Sequence, residues 1–173
     1  AWVGKGDGLD FWSDDIVESQ MKQEHSHAID LNKGKGGLIS FDPNVRLPLW
    51  DHPEDCRSAI LEFLPLAHLV KVSDEELEFI TGMSDVEDAI QSLFTGDVQA
   101  VVYTKGAAGA DLYLKSGAKW ESHGYKVEVL DTTGAGDAFI GGFRYKLLVK
   151  GADTGNLNLL FKENRDEILK FSN

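Results

Sequence analysis

Cysteine is almost missing: Cys56 stands alone in 173 residues, which rules out an internal disulfide and a cysteine-based metal cluster and fits a reducing compartment. No apolar run approaches the roughly 20 residues that a membrane-spanning helix needs, and no charged-then-apolar signal segment opens the chain. A soluble, cytoplasmic protein without a membrane partner is expected. Basic residues are few, 17 against 29 acidic, for a formal charge of −12; that field opposes non-specific attraction to polyanions and argues against nucleic acid as a partner. Internal repeats and low-complexity linkers are absent as well.

What is present is the composition of a globular domain, 42% hydrophobic and 27% charged, in a chain long enough for one core and too short for two ordinary ones. Residues 1–12 are glycine-rich, hold two tryptophans and give no periodic signal. From Ser13, with Asp14 and Asp15 in a first turn, the positions Val17, Met21, Ala28 and Leu31 predict a helix over 14–32 that stops in a run of lysine and glycine. Residues 38–42 read as a short buried strand closed by Pro43. A helix over 53–64 should turn Ile60, Leu61 and Leu64 inward, and a strand should cover 68–72. The S-x-x-E spacing occurs twice, at Ser73/Glu76 and Ser84/Glu87, and predicts capping boxes opening helices at 73 and 84. Strands over 99–104 and 126–130, a hairpin over 110–122 turning at Lys115-Ser116-Gly117, a helix over 136–149 and two weaker helical stretches after Gly151 complete the pattern.

Strands alternating with helices imply an α/β fold: an open, mostly parallel, Rossmann-like sheet with helices on both faces. Ligands bind such sheets at the carboxyl ends of the strands. Four polar segments, 42–46, 73–76, 104–109 and 131–137, follow predicted strands and should share that rim.

The last of these carries the chemistry. In Asp131-Thr132-Thr133-Gly134-Ala135-Gly136-Asp137 the glycines sit between a predicted strand and a predicted helix. Free N–H groups of Gly136 and its neighbours at a helix start, with about half a positive charge from the helix dipole, make an anion site that a phosphate can approach closely. Asp137 enters the same place from the first helical turn. With an ordinary carboxylate pKa it is ionised at neutral pH and can take a proton from an attacking hydroxyl. A glycine turn followed by a favourable helix-start aspartate is the plainer alternative. The histidines offer little: His25 and His27 are two apart, so on a helix they face different ways, and the others lack ligand spacing.

Over its whole length the string DTTGAGDAFIGG at 131–142 resembles the signature of the ribokinase-type (PfkB) carbohydrate kinases, and FDPNVRLPLW at 41–50 and KVSDEELEF at 71–79 look like the fructokinases among them. The resemblance covers roughly 14–173. It implies a ribokinase-like fold and ATP-dependent phosphorylation of a sugar hydroxyl, fructose to fructose 6-phosphate being the leading reading. Ribokinase and 2-keto-3-deoxygluconate kinase activities are alternatives within the family, and a non-catalytic kinase-like scaffold is the alternative outside it.

Position by position, the resemblance makes Asp137 the base for the 6-hydroxyl, with the amides of Gly134, Ala135 and Gly136 on the transferring phosphoryl group. Asp131 and Thr133 would hold a monovalent cation, potassium, with turn capping as the alternative. Glu76 matches the glutamate of an N-x-x-E motif that orders water around Mg²⁺; Ser73 replaces the asparagine, and a capping box can coexist with that role. Asn44 and Arg46 would lie near the ATP phosphates, Arg46 having a structural salt bridge as its alternative. Thr104, Gly106 and Gly109 match a nucleotide-side loop, where Gly109 could also be a bare turn, and Asn173 matches the start of an adenine-pocket helix. The partners implied are ATP and a small sugar, with a homodimer formed through the family's β lid. That lid, the sugar-gripping N-terminal segment and the extreme C-terminus are absent from the chain, which reads as the central and C-terminal part of one domain over 1–173. The isolated 173 residues are expected to have little or no kinase activity.

Overall fold

The computed structural model describes residues 9–12, 19–122 and 153–163. Six strands lie side by side in chain order: β1 (Leu9–Trp12), β2 (Ile39–Asp42), β3 (Leu69–Ser73), β4 (Ala100–Thr104), β5 (Ala110–Leu114) and β6 (Lys119–Ser122). The first four run parallel and the last two return antiparallel. Helices α1 (Ser19–Gly34), α2 (Pro53–Phe63), α3 (Asp74–Thr81), α4 (Val86–Ser92) and α5 (Leu157–Glu163) accompany them.

Strands β2 to β5 are short and almost wholly buried because the sheet is covered on both sides. Every residue of β4 is buried, and its alternation sorts them. Val101 and Tyr103 join Ile39, Phe41, Val70 and Val72 in one core with Ile29 of α1, Ile60 and Phe63 of α2, Leu77 and Ile80 of α3 and Ile90 of α4. Ala100 and Val102 join Leu69 and Leu112 in a second core with Leu157 and Phe161 of α5, where Trp120 and Phe161 tilt against each other at 6.1 Å. Helices therefore cover both faces. On the second face the side chains of β2 and β3 turn polar towards the carboxyl end, with Ser40, Asp42 and Lys71 all buried.

Several predicted boundaries shift for identifiable reasons. The first helix runs to Gly34, residues 14–18 lying outside the described set; among its described side chains Ile29 and Asn32 are buried and Ala28 packs against the core as expected, while Leu31 is 52% exposed, since two residues beyond Ile29 it points almost the opposite way at 100° per residue. In α2 the buried stripe is Cys56, Ala59, Ile60 and Phe63, the i, i+3, i+4, i+7 spacing of one face. Leu61 falls off that stripe and is 47% exposed. Leu64 is buried as expected, but in a 3₁₀ turn over Leu64–Leu66, since Pro65 cannot continue the α-helical hydrogen bonds. The capping box predicted at Ser84 does not form. Asp85 is the N-cap, accepting the Asp88 N–H at 2.9 Å, and the Glu87 carboxylate takes the Lys119 ammonium at 2.9 Å instead. The unassigned opening supplies β1, paired with β2 from Leu9–Ile39 to Trp12–Asp42. The hairpin turns where predicted, and the expected strand over 126–130 and helix over 136–149 lie outside the described residues.

His68, just before β3, shows how the amino end of the sheet is sealed. Its Nδ1 accepts the Ile39 N–H at 2.9 Å, which requires a neutral ring with its proton on Nε2. Burial, helped by Lys33 and opposed by Asp97, holds its pKa below the usual histidine value. The folded state thus binds fewer protons than the unfolded state as pH falls through the ordinary value near 6.5, so this contribution is complete above that pH and lost below it. Thermal melts of the chain between pH 7.5 and 5.5 should show stability falling on acidification. His68→Asn, which cannot take the proton, should flatten that slope; parallel slopes would show that His68 is not responsible.

Candidate functional site

Three of the four polar segments expected on one rim lie among the described residues, and the parallel register brings them together. Phe41 is level with Val70 and Ser73 with Thr104, so β2, β3 and β4 end at neighbouring points and release their loops on the same side.

At the end of β2, the Asp42 Oδ1 accepts the Asn44 N–H at 3.2 Å, folding the chain back on itself in an Asx-type turn. Asn44 occupies a left-handed conformation, φ 40°, which asparagine tolerates better than most residues. Arg46 then caps a 3₁₀ turn over Leu47–Leu49, its carbonyl accepting the Leu49 N–H at 3.0 Å.

At the end of β3, Ser73 and Glu76 form the predicted capping box. The Ser73 Oγ accepts the Glu76 N–H at 3.3 Å and the Glu76 Oε2 accepts the Ser73 N–H at 2.8 Å. Three acidic residues in the first turn of α3, Asp74, Glu75 and Glu76, suit the positive end of the helix dipole. The other oxygen of Glu76 reaches out of the box: Oε1 accepts the Val45 N–H at 3.1 Å. One buried carboxylate thereby fastens the loop after β2 to the helix after β3.

At the end of β4, the Thr104 hydroxyl donates to the Val72 carbonyl at 3.4 Å. A short turn over Gly106–Ala108 follows, closed by the Lys105 N–H on the Gly109 carbonyl at 2.8 Å. Gly106 and Gly109 take φ values of 54° and 98°, a region open to glycine and strained for other residues. The Lys105 ammonium pairs with Asp111 at 2.7 Å, which anchors the root of the turn.

Asn44, Arg46, Glu76, Thr104, Gly106 and Gly109 thus belong to three adjoining loop ends. Asp131, Thr133, Gly134, Ala135, Gly136, Asp137 and Asn173 lie outside the described residues. Two groups that the sequence reading quoted without a role also belong here. Lys71 and Asp42 are buried neighbours on β3 and β2, with the ammonium 3.1 Å from the Asp42 Oδ1 and 3.9 Å from the Glu76 Oε2. The available signal is a lysine flanked by valines at the centre of a parallel strand. Among the described residues no group of three or more His, Cys, Asp or Glu side chains is arranged to hold a metal directly, and no helix is long and apolar enough to cross a membrane.

Residues 2–158 match the sequence profile of the pfkB family carbohydrate kinases. The chain belongs to that family. The match begins before the point where the motifs become recognisable by eye, at about residue 14, and takes in β1. Among curated proteins, fructokinase-2 of Zea mays is 38% identical over 159 residues, which is 91% of this chain and 46% of that protein. Among solved structures, a fructokinase from Vibrio cholerae O395, crystallised with fructose, ADP and calcium, superposes with a TM-score of 0.83 at 32% identity over 99% of this chain and 53% of its own. An aminoimidazole riboside kinase from Salmonella enterica gives 0.81 at 27% identity, over 97% and 54% of the two chains. The sheet is that of the ribokinase-like fold. The chain spans about half the length of these pfkB family relatives.

Proposed function

We propose that the protein from which this chain comes phosphorylates the hydroxyl of a small sugar from ATP, and that the sugar is fructose. The observation that carries the reading is the meeting of the 42–46, 73–76 and 104–109 segments at one rim of a pfkB-type sheet, with similarity to fructokinases over nearly the whole chain. The chain would supply the central and C-terminal part of one ribokinase-like domain, carrying the phosphate machinery. Choice of sugar would rest largely with segments that the relatives have in addition.

In this reading each residue has a task that phosphoryl transfer requires, which is mainly positioning and charge stabilisation. Asn44 and Arg46 lie beside the phosphates, where an arginine fork matches phosphate geometry. Thr104, Gly106 and Gly109 let the nucleotide pack against backbone. The amides of Gly134, Ala135 and Gly136 receive the transferring group, and Asp137 accepts the proton of the attacking hydroxyl. Asn173 begins the adenine side. Asp131 and Thr133 hold potassium beneath the loop.

The described residues are compatible with magnesium through water. Each oxygen of the Glu76 carboxylate accepts one backbone N–H and retains a further lone pair, the hard oxygen donor that a hydrated Mg²⁺ shell takes. Magnesium, when bound with ATP, would neutralise phosphate charge.

The test is ADP release by the full-length protein across a sugar panel with and without potassium. Fructose should give the fastest release and potassium should raise it. Faster release with ribose or an aminoimidazole riboside would move the substrate assignment within the family. No sugar-dependent release would favour a scaffold role.

A further inference from the structure

Lys71 has a position that stability alone does not explain. It occupies the middle of β3, between Val70 and Val72 of the main core, and its side chain is only 10% exposed. Methionine or leucine could fill the same volume without the desolvation that an ammonium suffers, and burying an ion pair is often neutral or worse for stability. Its partners are buried as well, the Asp42 side chain being 5% and the Glu76 side chain 11% exposed. The register determines the first contact, because the level pairing of Phe41 with Val70 puts the next residues, Asp42 and Lys71, side by side on the other face. The second contact comes from α3, whose capping box turns Glu76 back over the strand end.

We propose that Lys71 is a positioning residue for the phosphate site. One ammonium holds two carboxylates from different elements, Asp42, which shapes the turn at Asn44, and Glu76, which fastens Val45 to Ser73. Without it, two like charges share a site of low dielectric and separate. Movement of either one displaces the 43–46 loop relative to α3. The effect falls on the phosphate side and leaves the sugar side alone. This inference rests on the sugar-kinase reading for its kinetic consequences and on the geometry for its structural ones.

The full-length protein tests it through Lys71→Met and Lys71→Arg, with kcat, the KM for sugar and the thermal shift given by Mg-ADP as readouts. Lys71→Met is expected to lower kcat at least tenfold, to leave the sugar KM within twofold and to halve the Mg-ADP shift or more. Lys71→Arg, which keeps the charge, should exceed the methionine variant at least threefold in kcat. A methionine variant with kcat within twofold of the parent overturns the proposal, and so does an equal kcat loss in both variants with an unchanged Mg-ADP shift. Should Lys71→Met not fold, Lys71→Gln, which keeps a hydrogen-bond donor but not the charge, takes its place: a kcat loss of threefold or more at constant sugar KM with a smaller Mg-ADP shift supports positioning, and parental values overturn it. If the parent phosphorylates no sugar, the sugar-kinase reading fails, while the Mg-ADP shift still reports on Lys71.

Discussion

Asp137→Asn in the full-length protein is expected to reduce turnover by about 100-fold to 10,000-fold, the range that a positioned general base contributes, while the thermal shift produced by Mg-ATP stays close to that of the parent. Asparagine has nearly the same shape as aspartate and can still accept a hydrogen bond from the sugar hydroxyl. It cannot take the proton. The hydroxyl must then lose its proton to water as the phosphoryl group arrives, and the loss appears in kcat rather than in the KM for either substrate. Retained turnover in this variant would remove Asp137 from the role of base, and a loss of Mg-ATP binding would recast it as part of the nucleotide site.

The second large effect is predicted at Glu76. Its two oxygens accept the N–H groups of Val45 and Ser73 at 3.1 and 2.8 Å, and the Lys71 ammonium lies 3.9 Å away. Glutamine replaces one of those oxygens with an amino group, so one backbone donor faces another donor whichever way the amide turns. The remaining bond becomes neutral, and Lys71 loses one of its two counter-charges. An unmet buried donor costs about 1–3 kcal/mol, and loss of charge assistance on the other adds to it. Glu76→Gln should therefore destabilise the chain by about 2–4 kcal/mol in denaturant titration and lower turnover of the full-length protein at least tenfold. Equal stability of variant and parent would show that the two amides find other acceptors. Glu76→Asp keeps the charge on a shorter arm and should fall between the two.

Local chemistry was legible where a single stretch of chain decides the outcome. Ser73 and Glu76 are three residues apart and cap the helix as their spacing requires, and the hairpin over Ala110–Leu114 and Lys119–Ser122 turns at its glycine. The same spacing at Ser84 and Glu87 misled, because Asp85 competes for the cap and a lysine from β6 draws Glu87 away. Leu31, assigned to the apolar face with Ala28, and Leu61, assigned inward with Ile60, both lie exposed, because the packed faces centre on Ile29 and on the stripe from Cys56 to Phe63, one or two residues away. That the segments at 42–46, 73–76 and 104–109 share one rim follows from the α/β alternation. The contact between Lys71 and Asp42 does not, since it spans 29 positions and depends on a strand register that neither stretch specifies alone. The Val45 tie to Glu76 likewise needs the β2 loop to approach a helix 31 residues further on.

That tie affects how this part of the molecule opens. Val45 and Ser73 donate to opposite oxygens of one side chain, so freeing either amide by swinging the carboxylate away frees the other. Segments nearly thirty residues apart in the chain are therefore expected to open together in local unfolding, linked through one carboxylate in addition to the pairing of β2 with β3. A nucleotide that settles against the 43–46 loop would stiffen the start of α3 at the same time, although α3 lies on the next strand over.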